Sequence, residues 1–476
     1  MLNNNRIKLL LALPVAISLW LYSSSINYYF FQDDFYEILL SKVNNLSGFL
    51  NLFTFLENRS SYRPIGLQMY FFLMHTFFGL NPTLYRLVTF AFFICSYLLI
   101  IHVVAKITSS KKVGLLTASL WLTSSIHFMS LSWLAAAWLI IGNFFFFLTS
   151  TIFIRYYEKK TAYFYCLSIV FFLLTLGSFE FFISWPVIFL AILVLRYKEK
   201  WAHALKMISP FIIICALYIL LRIQFASLPN IDEYKISIGA QTLKQIFWYF
   251  LWSFNIPEEF KKQIISHLLI FNPVFYKEFK PLIFISFGSM IVIFLTNIIA
   301  PVVICIKKQD TQTYKNIMIC ITWFLSAIIP VVIFPNHSFA MYLVLASIGV
   351  YMLIANLTIR FLGKSPIIII IIIFLWGMSS YTTLKFYKDN FWIVDSQQFA
   401  KDFSTDIKKT FPTLPSNAIV YYPLDDRRHI QALLAQNAIK VIYNDPSIRI
   451  FYNKADLIVN TSNEKTEPQL IFNFQN

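Results

Sequence analysis

Carboxylates are scarce enough in this chain to be weighed one at a time. Only 23 of its 476 residues are Asp or Glu, and thirteen of these precede Lys385. Glu158, Glu199 and Asp310 lie in short basic loops, and Asp232, Glu233, Glu258, Glu259 and Glu278 lie in one long loop with several lysines. Asp33, Asp34, Glu37, Glu57 and Glu180 remain, all near the ends of apolar runs. Asp33 and Asp34 directly follow the run from Ile26 to Gln32. Two adjacent carboxylates at the rim of a low-dielectric slab are costly. They read either as a solvated helix stop or cap for Phe35–Leu40, or as a general base or cation ligand held at the bilayer surface. A divalent ion suits two carboxylates, but no third ligand is evident and no metal site is assigned.

The second group is cationic. Ser61-Tyr62-Arg63-Pro64-Ile65-Gly66 opens an aromatic amphipathic stretch, Leu67–Phe78. Proline suits the first position of a helix, so Arg63 would stand at a helix N-terminus, where amide donors and the dipole favour a phosphate. The plainer reading is an interfacial anchor. Arg86, Arg222 and His337 are further phosphate candidates at outer span ends, although snorkelling accounts equally for Arg222. His127 reads as a turn histidine and Glu180 as a boundary acid or an orienting group. The string Asp425-Asp426-Arg427-Arg428-His429 reads as a solvated helix start.

These residues need a membrane scaffold to place them. Hydrophobic residues make up 58% of the chain, charged residues 13%, and the mean hydropathy is +0.65. A soluble domain carries about 25% charged residues and could not bury this much apolar surface. The net charge of +16 does not mark a nucleic-acid binder, because the basic excess falls in short clusters between apolar runs, as the positive-inside rule expects. Val113–Ile154 has no Lys, Arg, Asp or Glu; at 1.5 Å per residue it is about 63 Å long, enough for two crossings. Counting from Leu9–Phe31 to Ser365–Leu384 gives about eleven spans with every short basic loop on one side. The five cysteines show no CxxC spacing and read as small buried hydrophobes rather than a disulfide or metal framework.

The expected fold is therefore a polytopic α-helical membrane domain over 1–384, with a first outer loop over 32–82, and a small extracytoplasmic α/β domain over 385–476. In the tail, 399–411 and 427–434 read as helices and 418–422, 439–443 and 448–452 as strands. No internal repeat of the kind expected in transporters is evident.

FFQDDFYEILL followed about thirty residues later by SYRPIGLQMYFFLMHTFFGLNPTLYRLV resembles the GT-C glycosyltransferases, closest to bacterial relatives of the protein O-mannosyltransferases. Leu176-Gly177-Ser178-Phe179-Glu180 resembles the family's Ser-Lys-Glu before a Pro-containing helix. Ser125-Ile126-His127 resembles its Pro-x-His turn, and Pro335-Asn336-His337 with Tyr342 resembles the opening of a late span. The resemblance covers roughly Leu9–Leu384. The chain departs from the pattern at Phe179, where the family has Lys, at Ser125, where it has Pro, and at Met129, where an acid is common.

The resemblance implies an inverting transfer of a sugar from a polyprenyl-phosphate carrier to an acceptor hydroxyl on a glycan, lipid or protein. Asp33 or Asp34 would be the base. Arg63, with Arg86, Arg222 and His337, would meet the phosphate; Tyr62, His127, Glu180 and Tyr342 would lie nearby. The absence of Walker or dinucleotide-binding glycine patterns fits a donor that is not a nucleotide. The alternative is a polysaccharide flippase, polymerase or ligase, which would not require the Asp-Asp pair. A Lys, Ile, Phe and Asn bias suggests a bacterial cytoplasmic membrane, with the site and tail facing outward.

Overall fold

The structure, a computed structural model, describes residues 4–54, 62–225, 231–265, 270–363, 365–462 and 471–473. Glu57 and Ser61 lie outside the described residues. Among the described residues seven helices are long and apolar enough to cross a bilayer: Pro82–Thr108, Leu134–Lys159, Trp201–Phe225, Pro273–Lys308, Thr311–Val332, Ala340–Leu362 and Ile367–Asn390. The chain is thus a helical, multi-pass membrane protein.

Four of the eleven expected spans are shorter than the periodicity implied. The first helix stops at Leu21, where Ser23–Asn27 forms a 3-10 turn and Ser25 Oγ lies 2.7 Å from Ser132 Oγ. The third is the 12-residue helix Lys111–Leu122, about 18 Å long against a hydrocarbon core of about 30 Å. It ends at Thr123-Ser124, whose groups join a buried polar knot. Ser124 Oγ donates to Asn255 Oδ1 at 2.9 Å, and Ser380 Oγ donates to the Thr123 carbonyl at 2.5 Å. The fifth helix, Ala162–Leu176, has 15 residues. The sixth, Trp185–Ala191, passes into a π-turn at Ile192–Arg196.

At one end of the bundle the basic loops converge. Lys106 pairs with Glu158 at 2.6 Å, Arg196 contacts Ser109 and Arg360 pairs with Asp310 at 2.5 Å. Cys95 and Cys166 are exposed rather than buried; Cys215, Cys305 and Cys320 are buried.

The last spanning helix runs on to Asn390 and turns into Trp392–Thr410. The latter packs Ile393, Ala400, Phe403 and Ile407 inward. Three short parallel strands follow, β1 (Ile419–Tyr421), β2 (Arg449–Phe451) and β3 (Ile471–Asn473), in the order β2-β1-β3. Ile419 faces Arg449 across one pairing and Ile471 across the other. The strand expected at 439–443 is instead the helix Asn437–Ile442. Its Ala438, Ile439, Val441 and Ile442 are all buried, a spacing that gathers on one helix face, so burial outweighs their β preference.

Candidate functional site

A cavity of about 1510 Å³ opens where the helix ends meet the tail. Asp33, Arg63, Glu180, Arg222, His337 and Tyr342 all line it, although they come from five separate stretches of chain. Asp34, Tyr62, Arg86 and His127 do not.

Asp33 and Asp34 open the helix Asp33–Leu40, where acids complement the helix dipole. Consecutive helical residues project about 100° apart, so the two cannot share one direction. Asp33 is exposed and faces the cavity. Asp34 is fully buried, with Oδ1 accepting the Ala135 N–H at 2.6 Å and Oδ2 the Phe31 N–H at 3.2 Å. Burial pushes its carboxyl up to about 7 against the opposing pull of Arg86 and the two amides. Asp34 therefore pins backbone, and the pair does not converge on one ion. Among the described residues no three His, Cys, Asp or Glu side chains group as a metal site.

The turn that presents Asp33 is held from the tail. Gln32 has φ 49°, ψ −125°, a conformation that side chains rarely adopt and that costs about 1–3 kcal/mol. Its N–H donates to the Ala432 carbonyl at 2.7 Å. The Tyr29 N–H donates to Gln397 Oε1 at 3.0 Å, and the Phe31 ring lies against Trp133 and Trp392.

Arg63 immediately precedes a π-turn, Pro64–Met69, with Pro64 at its start. The guanidinium lies 3.8 Å from the Trp138 ring centroid and forks onto Glu180. Nε donates to Oε2 at 3.1 Å and Nη2 to Oε1 at 3.0 Å. Arg222 Nη2 reaches the same Oε1 at 3.2 Å. Burial alone would raise the Glu180 carboxyl, but the two guanidiniums reverse this and hold it at about 2. The group is a net monocation on the cavity wall: two arginines fixed by one carboxylate.

Close backbone approach makes this clamp possible. The Ile65 N–H donates to the Gly177 carbonyl at 2.9 Å, and a Cβ on Gly66 would stand 2.8 Å from Trp138 Cβ and 2.9 Å from the Ser178 carbonyl oxygen. Neither neighbour is the end of a flexible side chain. Gly66→Ala is expected to lower stability by about 1–3 kcal/mol, read as a reduced Tm of the purified protein in detergent; an unchanged Tm would show that the packing yields.

His337 stacks on Tyr234, with centroids 4.5 Å apart, and its Nε2 lies 2.9 Å from the Tyr342 hydroxyl. Burial, with the nearby Arg63 charge, brings the imidazole down to about 4. At neutral pH His337 can offer a hydrogen bond to a phosphate, not the positive charge expected of it.

Three other expected site residues have structural work instead. Arg86 is fully buried and donates to the carbonyls of Tyr28, Tyr29, Leu131 and Ser132 at 2.8–3.2 Å, which ties the stretch that leads into Asp33 to the turn before Leu134–Lys159. His127 is enclosed by Phe93 and Trp121, and its Nε2 meets the Trp121 carbonyl at 2.8 Å. The Tyr62 hydroxyl donates to the Phe53 carbonyl at 2.8 Å.

No protein-family model matches the chain, and no curated protein matches it either.

The cavity also contains residues whose types carry little signal in sequence. Trp133, Trp138, Tyr234 and Trp392 supply aromatic walls, and Asp395, Gln398, Arg428, His429 and Gln431 come from the tail. Asp426 is indeed a helix cap, its Oδ1 accepting the Arg428 N–H at 2.9 Å. The side chains of Arg428 and His429 nevertheless reach the cavity. His429 lies flat on Phe399 at 4.1 Å, with Nε2 3.4 Å from Asp395 Oδ2.

Proposed function

We propose that this chain is a glycosyltransferase that moves a sugar from a polyprenyl-phosphate donor to an acceptor hydroxyl at the outer face of a bacterial cytoplasmic membrane. The observation that carries this reading is the placing of Asp33 on the same cavity wall system as the Arg63–Glu180–Arg222 clamp. The clamp offers positive charge to the carrier phosphate. Ile219 and Ile223 line the cavity, while Leu217, Leu220 and Leu221 on the same helix are exposed; an isoprenoid tail can lie along this helix in the bilayer.

In the proposed reaction the acceptor hydroxyl gives its proton to Asp33 as its oxygen attacks the anomeric carbon. The bond from that carbon to the phosphate oxygen breaks with inversion, and the leaving phosphate takes the electron pair. The developing charge falls beside Arg63 and Arg222. Glu180 is a positioning residue, because it sets the direction of both guanidiniums. The tail side of the cavity, with Trp392, Gln398, Arg428 and Gln431, combines an aromatic face with several hydrogen-bonding groups, and a polyhydroxylated acceptor suits it.

The test is direct. Membranes containing the chain are incubated with polyprenyl phosphates carrying a radiolabelled hexose, N-acetylhexosamine or pentose. Label is expected to leave the lipid for an acceptor with one of them, and to stay in the lipid with Asp33→Asn. Retention of label in the lipid with every donor would overturn the reading in favour of a flippase, polymerase or ligase.

A further inference from the structure

A second cavity, of about 670 Å³, lies between the first outer loop and the tail. Its charged or titratable lining groups are Tyr36, Lys42, His75 and Lys440, and no carboxylate lines it among the described residues. The neighbouring acid, Asp445, attracts Lys42 electrostatically, while its oxygens accept from Ser416 Oγ at 2.8 Å and from the Ser447 N–H and Oγ at 2.8 and 2.7 Å. Lys42 is half-buried and donates to Asn444 Oδ1 at 2.6 Å; an ammonium has three donors, and that bond uses one. Burial, with Lys42 close by, draws the His75 imidazole below its ordinary range, so at neutral pH it adds a hydrogen-bonding group, and the positive charge is that of the two lysines.

The cavity lies beside the start of the spanning helix Pro82–Thr108. His75 belongs to the helix Tyr70–Phe78, which turns at Gly79 and enters the spanning helix at Pro82. Phe72, on the cavity wall, meets Phe49 edge to face at 5.6 Å. That contact sets the helix Leu46–Asn51 beside it. Leu46, Leu50 and Phe77 around this corner are 73%, 56% and 70% exposed. A lysine-walled groove bordered by exposed large apolar side chains does not match a soluble phosphate, which needs no apolar border. It does match an amphiphile whose phosphate meets the lysines while its chains cover the leucines and phenylalanine.

We infer that this groove is a binding site for the phosphate of an anionic phospholipid. The lipid would bridge Lys42 of the first loop and Lys440 of the tail, the same two parts that meet where Gln32 donates to Ala432. It would thereby steady the joint that presents Asp33. The site does not depend on the glycosyl-transfer reading.

The test uses the full chain in nanodiscs of phosphatidylcholine containing phosphatidylglycerol. Native mass spectrometry then counts the lipids that stay bound after transfer to detergent. Wild type is expected to retain phosphatidylglycerol over phosphatidylcholine. Lys42→Gln and Lys440→Gln should each weaken retention about fivefold, the scale of one lysine at an anionic lipid surface. The double variant Lys42→Arg, Lys440→Arg keeps the charge and should keep the lipid, which separates lost recognition from lost folding. A calorimetric arm with soluble glycerol phosphate is expected to show no binding. Equal retention of the two lipids, unchanged retention in the glutamine variants, or lysine-dependent binding of glycerol phosphate would each overturn the proposal.

Discussion

Asp33→Asn is expected to lower sugar transfer by roughly 10²–10⁴-fold while binding of the polyprenyl carrier survives. Asparagine keeps the shape of the side chain but cannot take the acceptor proton. It leaves the Arg63–Glu180–Arg222 clamp untouched, so the loss should fall on turnover rather than on donor affinity. Asp34→Asn acts by another route. Its amide group can accept one of the two backbone N–H bonds now made to Phe31 and Ala135, but its NH₂ would confront the other donor. Leaving a buried donor unmatched costs about 1–3 kcal/mol, so less folded protein is expected. The measurement is initial transfer rate normalised to folded enzyme, with Tm taken in parallel. Asp33→Asn should lower the normalised rate at nearly wild-type Tm, and Asp34→Asn should do the reverse. A wild-type normalised rate in Asp33→Asn would sink the proposed mechanism.

The division between the two aspartates shows what a sequence can carry here. Scarcity of carboxylates picks out Asp33 and Glu180, position at a helix or span end picks out Arg63, Arg222 and His337, and Tyr342 comes only from the resemblance; all six line one cavity. Which of two neighbouring acids faces that cavity depends on helix phase and on the unusual backbone at Gln32, neither of which has a residue-type signature. Arg86 misled because an arginine near a span end resembles an interfacial group; four carbonyls from distant turns satisfy it instead. The short third helix was hidden because an uncharged run reports total apolar length and not where Thr and Ser hydroxyls stop a helix. The contribution of Arg428 and His429 was hidden by the cap beside them: the cap is a local signal, whereas their reach into the cavity is set by how the tail docks.

The arginine clamp leads to the second large effect. Arg63→Ala removes one of the two cations that surround Glu180, and what remains is a neutral Arg222–Glu180 pair. A charge-assisted hydrogen bond contributes about 1.5–3 kcal/mol, so affinity for the polyprenyl phosphate should fall by about 10- to 100-fold. Arg63→Lys keeps the charge but loses the planar fork that holds both Glu180 oxygens and the stacking on Trp138, and should give an intermediate loss. Glu180→Gln supplies the control for position against charge. It increases the net positive charge of the wall but frees both guanidiniums from their fixed directions, so binding should survive while transfer declines. The pairing also sets an acid limit. A carboxyl held at about 2 in the folded protein, against an ordinary value of about 4.3, contributes its full stability above the ordinary value. That stability is lost as the pH falls through about 4 towards 2. Tm should therefore decline over that acid range in wild type and decline less in Glu180→Gln. Binding is read with tritiated polyprenyl phosphate on the purified chain in nanodiscs. Unchanged affinity in both Arg63 variants would return Arg63 to an anchoring role and leave the cavity without its phosphate site.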